Sequence, residues 1–193
     1  MREIAPGLVH WTAVHPRIGT EVSSYWLAAE RVLLNPLDPP DGLGEPAAIV
    51  LTNRHHYRSS GELAERYGCP VRVPREGMYE FSHGEPVTPY GDGDEPVDGL
   101  RAHHVGAISD DEYAVEIPGE RALAVADGVV RWEDGPLAFV PDHLMGDDPE
   151  AVKAGLRDAY ARLLDEVEFD HLLLAHGAPV VGDGAGALRE FLA

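Results

Sequence analysis

Positive charge is scarce in this sequence. Fifteen Lys and Arg residues stand against 34 Asp and Glu residues, which gives a formal net charge of −19 over 193 residues. An acidic surface of this kind repels phosphate backbones, so we expect no nucleic-acid partner unless the few arginines cluster. The simplest explanation of the acidic excess is a solubilising surface.

Cysteine and long apolar runs are equally scarce. Cys69 is the only cysteine, so the chain cannot form an internal disulfide, and its setting in YGCPVRV favours a buried structural thiol. The N-terminal stretch MREIAPGLVHW lacks the apolar segment of a signal peptide, and no run approaches the ~20 apolar residues of a membrane-spanning helix. We therefore predict a soluble, cytoplasmic protein without a membrane partner.

Several common motifs are missing as well. The sequence contains no G-x-S-x-G, P-loop or dinucleotide fingerprint, which argues against the usual serine hydrolases and nucleotide-binding proteins. The length, with 44% hydrophobic and 25% charged residues, suits one globular domain with a substantial core. We predict a single domain over residues 1–193, and the sequence indicates no particular oligomeric state.

Apolar runs of strand length dominate the chain. Strands are predicted at GLVHWTAV, VSSYWLAA, RVLLNPL, AAIVLT, PVRVP, LRAHHV, EYAVEIP, RALAVADGVV, LAFVP and HLLLAH. The continuous apolar run AAIVLT is typical of a strand buried on both faces. Because the helices interrupt and follow blocks of strands, this order favours sheets packed on each other with helices outside, an α/β sandwich.

Three helices are predicted between and after these strands. The first spans Ser59 to Gly68, where Ser59 and Glu62 match a capping box and Gly68 provides a stop. The second is long, with Asp148 as its N-cap and Pro149 at its first position. The stretch AGALREFLA predicts a short C-terminal helix.

Three polar side chains directly follow apolar strands, where functional residues are often presented. His55 follows IVLT, Asp127 follows RALAVA and His176 follows HLLLA. His56 is expected to point away from the site, because neighbouring side chains alternate if the segment is extended.

This layout resembles the metallo-β-lactamase superfamily over nearly the whole chain. The stretch TNRHHYRSSGEL occupies the place of the family signature T-H-x-H-x-D-H, and AVADGVV and LLLAHGAPV match its later aspartate and histidine segments. The resemblance implies a four-layer αββα sandwich. It also implies metal ions that activate water for hydrolysis, with an ester, thioester or lactone as the least specific substrate.

The signature is only partly retained. In this resemblance His55 matches the second signature histidine, Asp127 the metal-bridging aspartate and His176 the terminal histidine. Asn53 and Arg58 stand in place of the first and third signature histidines.

Two further ligand positions also differ from the family pattern. Tyr57 stands in place of the signature aspartate. The Pro-Gly-His turn aligns near VGAI, which places Ile108 at the remaining ligand, with His104 close enough to substitute. Neither ion of the family's pair would keep three protein ligands of its own, so the usual two-metal hydrolysis is not expected.

Two interpretations of the site remain open. One is a single Zn, Fe or Mn ion held by His55, Asp127 and His176, with His104, Asp110 or Asp111 as an added ligand. The other, which we favour, is a metal-free site in which the Arg58 guanidinium pairs with Asp127 and the Tyr57 ring fills a vacant ligand position. Such a pocket could bind a small molecule through Arg58, Asn53, Tyr57 and His55, or serve a structural role.

Overall fold

The computed structural model describes residues 1–132 and 135–193. The strands are β1 (Arg2–Ala5), β2 (Leu8–Val14), β3 (Glu21–Leu27), β4 (Val32–Leu34), β5 (Ala48–Val50), β6 (Val71–Pro74), β7 (Val87–Tyr90), β8 (Arg101–His104), β9 (Tyr113–Ile117), β10 (Ala122–Val125), β11 (Val129–Arg131), β12 (Leu137–Phe139) and β13 (His171–Leu174). The α-helices are α1 (Ser60–Tyr67), α2 (Pro149–Glu166) and α3 (Gly184–Leu192). Short 3-10 turns span Arg54–Tyr57, Arg75–Glu80, Pro118–Glu120 and Asp142–Leu144.

Two main sheets organise these strands. The first contains β1 to β7 in chain order, antiparallel from β1 to β4 and parallel from β4 to β7. The second has the order β13-β10-β9-β8, and β10 and β13 are its parallel pair. Strands β11 and β12 form a separate hairpin. Because β10 and β13 are parallel neighbours, both end at the same edge of the sheet, and the residues that follow them lie close together.

The core lies between the two sheets and is closed by helices on both outer faces. Tyr25 and Leu27 of the first sheet pack with Val115 and Leu173 of the second in one buried cluster. Each such apolar side chain stabilises the fold by about 1.5–3 kcal/mol relative to an exposed one. Helix α1 covers the first sheet, and helices α2 and α3 cover the second, through Leu63, Leu156, Tyr160 and Leu188. This arrangement is the predicted αββα sandwich.

The structure confirms most of the predicted elements. Strand β5 is buried along its whole length, as the run AAIVLT indicated. Gly68 ends α1 in a left-handed conformation with φ of 64°, and the Asp148 side chain accepts a hydrogen bond from the Ala151 backbone N–H at the start of α2. The capping box at Ser59 is wrong. Its hydroxyl bonds the Asp38 segment instead of the helix, so the nearby loop decides its partner.

The structure also tests the predictions of a buried cysteine and of no membrane-spanning helix. Cys69 is 7% exposed and packs in the cluster beneath α1, so the prediction of a buried thiol is confirmed. Within residues 1–132 and 135–193, no helix has the length and apolar character needed to cross a bilayer.

Hydrogen bonds between the sheets bring the strand ends together. The Ser23 backbone N–H donates to the Ala175 carbonyl at 2.9 Å, and the Tyr25 hydroxyl donates to the Leu174 carbonyl at 2.8 Å. The Tyr113 N–H donates to the Thr52 carbonyl at 3.0 Å, which ties the start of β9 to the end of β5. The segments after β5 and β13 therefore meet at one edge of the sandwich.

His10 should make the fold sensitive to acid. Its Nε2 lies 2.9 Å from the Ser23 hydroxyl, which itself donates to the Gly177 carbonyl, and its ring stacks on Tyr25. Burial, helped by the positive N-terminus and Arg2, lowers the pKa of His10 from 6.5 to about 4. The unfolded chain therefore binds this proton first, so the stability from a neutral His10 is present above pH 6.5 and is lost as the pH falls towards 4.

A His10→Gln variant keeps an N–H donor but cannot titrate in this range. We expect its free energy of unfolding to fall less than that of the unsubstituted protein between about pH 7.5 and about pH 5. The difference should be about 1 kcal/mol, since solvent screens this half-buried ring. Urea denaturation at the two pH values measures it, and equal acid sensitivity of the two proteins would contradict the role of His10.

Candidate functional site

The site forms where strands of both sheets end. Asp127 follows β10 and His176 follows β13, and because these strands are parallel neighbours the two side chains lie side by side. The third part comes from the other sheet, where β5 leads through Thr52 into the 3-10 turn Arg54–Tyr57. The convergence of Asp127 and His176 agrees with their predicted placement at strand ends.

The histidine that joins them is His56, and the choice of His55 is wrong. The Nε2 atoms of His56 and His176 lie 3.1 and 3.0 Å from Asp127 Oδ1, and the donor atoms of the three residues lie within 4.8 Å of one another. His56 is 2% exposed, whereas His55 is exposed at the cavity wall. The expectation for the pair assumed an extended segment, but the backbone forms a 3-10 turn here and strand alternation does not apply.

A buried hydrogen-bond chain fixes the protonation of the His56 ring. The Thr52 backbone N–H donates to Asn35 Oδ1 at 2.9 Å, which orients the amide so that its Nδ2 donates to Thr52 Oγ1. The Thr52 hydroxyl can then donate to His56 Nδ1, 3.0 Å away. A neutral His56 therefore carries its proton on Nε2 and donates it to Asp127.

The charge of Asp127 is met by protein donors on both oxygens. Asn53 Nδ2 donates to Oδ2 at 2.8 Å, while His56 and His176 face Oδ1. Burial opposes ionisation, but electrostatic attraction and hydrogen bonding to His56 and His176 outweigh it and hold the pKa of Asp127 well below its usual range. Burial also lowers the pKa of His56 to about 4, with the Arg58 charge adding to the shift and Asp127 opposing it. We therefore assign an ionised Asp127 and a neutral His56 at neutral pH.

Glu112 is a buried acid at this site that the sequence did not indicate. It is 0% exposed and accepts a hydrogen bond from the Gly128 N–H at 2.7 Å. Burial, together with the charge of Asp127, raises the pKa of Glu112 well above its usual range. Its Oε2 and Asn53 Oδ1 are both buried and have no hydrogen-bond partner among the described residues.

Arg58 lies near Asp127 but does not pair with it, so the predicted ion pair is wrong. Its Nη1 donates instead to the backbone carbonyls of Ser23 and Asn35 at 2.8 and 2.7 Å. Burial lowers the pKa of Arg58 to about 10, which leaves the side chain charged at neutral pH. Its backbone has φ of 41°, a strained conformation for a residue with a side chain.

The other predicted pocket residues lie farther from Asp127. The Tyr57 ring packs on Phe81 at a centroid distance of 5.3 Å and does not fill the vacant ligand position beside Asp127. His104 Nε2 bonds the Asp110 carbonyl at 2.8 Å, so His104 does not substitute as a ligand. Ile108 contributes an apolar wall to the cavity.

A buried ion pair holds the 3-10 turn that carries His56. Asp111 accepts hydrogen bonds from the Arg54 backbone N–H at 2.7 Å, from the Ser109 hydroxyl at 2.9 Å and from the Arg54 guanidinium. The Asp111 side chain is 1% exposed. Its carboxylate is thus committed to Arg54, while Asp110 is exposed, and neither joins the His56 group as an added ligand.

A cavity of about 760 Å³ opens at this group. Asp127, His56, His176 and Arg58 line it. A second cavity of about 540 Å³ lies beside it, and both are lined by the same cationic side chains, Arg17, Arg54 and Arg58. Several of the few arginines of an acidic chain are therefore concentrated at its cavities.

The side chains at the site can be compared with the ligands that the metal ions of this fold would need. Two ions do not fit, because the described residues supply one group of three donors. One ion fits the spacing of His56, Asp127 and His176. The proton positions oppose it, since a metal-bound Nε2 must be deprotonated and the His56 proton would have to move to Nδ1. The Thr52 hydroxyl would then lose its acceptor.

Comparison with known proteins identifies the fold. No protein-family model matches the sequence, and no curated protein matches it significantly. Among solved structures, a metallo-β-lactamase family protein of Thermus thermophilus is similar at a TM-score of 0.66 and 20% identity, covering 98% of this chain and 79% of that one. The DIM-1 metallo-β-lactamase is similar at a TM-score of 0.73 and 14% identity, covering 97% and 92%.

A third structure adds information on metals. TTHA1623, solved in a di-iron-bound form, is similar at a TM-score of 0.68 and 20% identity, covering 93% of this chain and 96% of that one. At these identities the likeness shows the fold alone. The chain has the metallo-β-lactamase fold.

Removing the charge of Asp111 should loosen the turn that carries His56. In an Asp111→Asn variant the Arg54 guanidinium loses its anionic partner, and we expect the free energy of unfolding to fall by about 2–3 kcal/mol. Urea denaturation measures the change. Asp98→Asn, which neutralises an exposed aspartate, is the matched control and should have little effect. Equal losses in both variants would show that the Arg54–Asp111 pair has no special role.

Proposed function

We propose that this chain, as a single domain, binds a small molecule in the larger cavity without a metal ion and does not carry out two-metal hydrolysis. The observation that carries the proposal is that Asn53 Nδ2 donates to Asp127 Oδ2, while the Nε2 atoms of His56 and His176 lie 3.1 and 3.0 Å from Oδ1. In a metal centre, this carboxylate and the two imidazoles would instead direct lone pairs at the ion.

The surroundings of the group support the same conclusion. His56 is neutral, and its Nδ1 accepts a hydrogen bond from the Thr52 hydroxyl. In a histidine that binds a metal ion through Nε2, Nδ1 usually carries a proton and donates it instead. Reversing that hydrogen bond leaves a buried hydroxyl without an acceptor, which costs about 1–3 kcal/mol. Arg58 adds a fixed positive charge close to Asp127, which repels a dication.

A second candidate function is a single-metal hydrolase. The observation in its favour is the spacing of the His56, Asp127 and His176 donor atoms, which suits one Zn, Fe or Mn ion. A bound ion would supply an activated water for hydrolysis of an ester, thioester or lactone. The chain's own part would be to hold the ion and to orient His56 through Thr52.

Metal analysis separates the two candidates. We expect the purified protein, incubated with Zn, Mn or Fe(II) and then dialysed, to retain well under one metal ion per chain by plasma emission spectrometry. The physical reason is that the atoms of His56, Asp127 and His176 that could bind a metal ion already interact with one another within the protein. A stoichiometric ion that survives dialysis and disappears in an Asp127→Asn variant would overturn the metal-free proposal.

The tautomer of His56 gives an independent test that needs no ligand. Long-range ¹H–¹⁵N NMR at neutral pH should show the His56 ring protonated at Nε2, as the bond from Thr52 requires. A Thr52→Val variant removes that donor and should weaken this preference, with a loss of about 1–3 kcal/mol in stability. An Nδ1-protonated ring in the unsubstituted protein would contradict the assignment.

A further inference from the structure

Exposed hydrophobic side chains are concentrated at the mouth of the larger cavity. Seven large hydrophobic side chains are exposed among the described residues, and three of them, Ile18, Trp132 and Leu144, line this cavity. They are 59%, 45% and 57% exposed. Single exposed hydrophobic residues need no explanation, but a group of them around one opening indicates a surface that another molecule covers.

The positions of these three residues indicate the kind of molecule. Ile18 lies in the turn between β2 and β3, Trp132 follows β11, and Leu144 ends a 3-10 turn. Because separate segments supply them, they line a concave opening of about 760 Å³ and do not form one flat face. A cavity of this volume is typical of sites for small organic molecules, whereas protein partners usually bind broader surfaces. The shape therefore favours a small molecule over a protein partner.

The apolar surface continues inward from the opening. Val130 and Val140, which also line the cavity, are buried and pack with Met145. Ile108 packs against the same cluster and lines the cavity as well. An apolar ligand can therefore lose contact with water along this whole wall, which favours its binding.

The polar part of the cavity carries charges of both signs. The side chains of Asp127 and His176 are 23% and 15% exposed, so a ligand can reach them. Arg17 and Arg54 line the same cavity, whereas the unbonded nitrogen atoms of Arg58 are buried and are not available to a ligand. A charged ligand would meet repulsion as well as attraction here and would also lose its hydration. An uncharged ligand avoids both costs.

His176 offers a hydrogen bond to such a ligand. Its Nε2 lies 3.0 Å from Asp127 Oδ1, which leaves Nδ1 for a group in the cavity. A hydroxyl group both donates and accepts, so it can bond to this nitrogen whether or not the nitrogen carries a proton.

We infer that the larger cavity binds an uncharged organic molecule with an apolar body and a hydroxyl group at one end. The apolar body lies against Ile18, Trp132 and Leu144, and the hydroxyl group bonds to Nδ1 of His176. This inference rests on the proposed metal-free pocket and specifies the chemical class of its ligand.

Matched probes test the ligand class on the unsubstituted protein. NMR titrations at neutral pH measure the dissociation constants of hexan-1-ol, butan-1-ol, hexanoate and hexylammonium. We expect hexan-1-ol to bind about four-fold or more tightly than butan-1-ol, because it buries two further CH₂ groups. It should also bind more tightly than either ion. Equal affinity for the two alcohols would overturn the apolar contact, and tighter binding of either ion would overturn the uncharged class.

The same spectra locate the ligand. Hexan-1-ol should shift the indole N–H signal of Trp132, which a Trp132→Phe variant identifies, and leave those of the buried Trp11 and Trp26 in place. In long-range ¹H–¹⁵N spectra the Nδ1 signal of His176 should also shift, while that of His56 should not. A shift at Trp132 without one at His176 would show that the hydroxyl group does not bond there.

A matched pair of substitutions assigns the apolar contact. Ile18→Thr replaces a methylene and a methyl group with a hydroxyl group at the opening, and we expect it to weaken hexan-1-ol binding about three-fold or more. Val181→Thr makes a similar exchange at a residue that is 42% exposed and lines neither cavity, and it should leave binding unchanged. Both sites are exposed, so little effect on folding is expected. Equal affinity of the two variants would contradict the contact with Ile18.

The two proposals fail in different ways. Metal content and sedimentation are measured on the same samples. A metal-free monomer that binds none of the probes overturns the ligand class and leaves the metal-free site standing. A stoichiometric metal overturns the metal-free function, and the ligand class is then judged by the comparison of probes. A dimer that dissociates in Ile18→Thr but not in Val181→Thr would show that a second copy covers the opening, which would overturn the inference.

Discussion

The carboxylate of Asp127 sets the constraint on which the rest of the site depends. It lies at the edge where both sheets end, and it stays ionised there because Asn53, His56 and His176 surround it with N–H groups. These groups come from segments that follow β5 and β13, so one half-buried charge joins the two halves of the sandwich. In a metal centre the ion would make this connection. Here the side chains of Asn53, His56 and His176 make it, and the carboxyl group of Glu112 lies buried nearby and accepts from the Gly128 N–H.

Arg58 connects this network to the frame of the first sheet. Its Nη1 satisfies the carbonyls of Ser23 and Asn35, and the strain of its positive φ is offset by those two charge-assisted bonds. The same anchoring leaves the opposite edge of the guanidinium fixed in place.

The fold and part of the site could be predicted from the sequence, and particular residues show where that stops. The run AAIVLT predicted a doubly buried strand because burial on both faces requires continuous apolar residues. Asp127 and His176 could be placed because each follows such a run. His56 could not be distinguished from His55, because the turn that carries them is held by residues far along the chain, Asp111 and Asp127. The Arg58 contacts were equally hidden, because backbone carbonyls have no sequence signature.

The anchoring of Arg58 also limits how a histidine could take its place. A histidine at position 58 is shorter than arginine and has no fork of N–H groups, so it could not satisfy the carbonyls of Ser23 and Asn35 together. The Asn35 carbonyl would still accept from the Ser24 hydroxyl, but the Ser23 carbonyl would lose its bond from Arg58, at a cost of about 1–3 kcal/mol. Arg58 is therefore tied to the backbone of the first sheet, and a single substitution to histidine lowers the stability of the fold before it can add a ligand at the site.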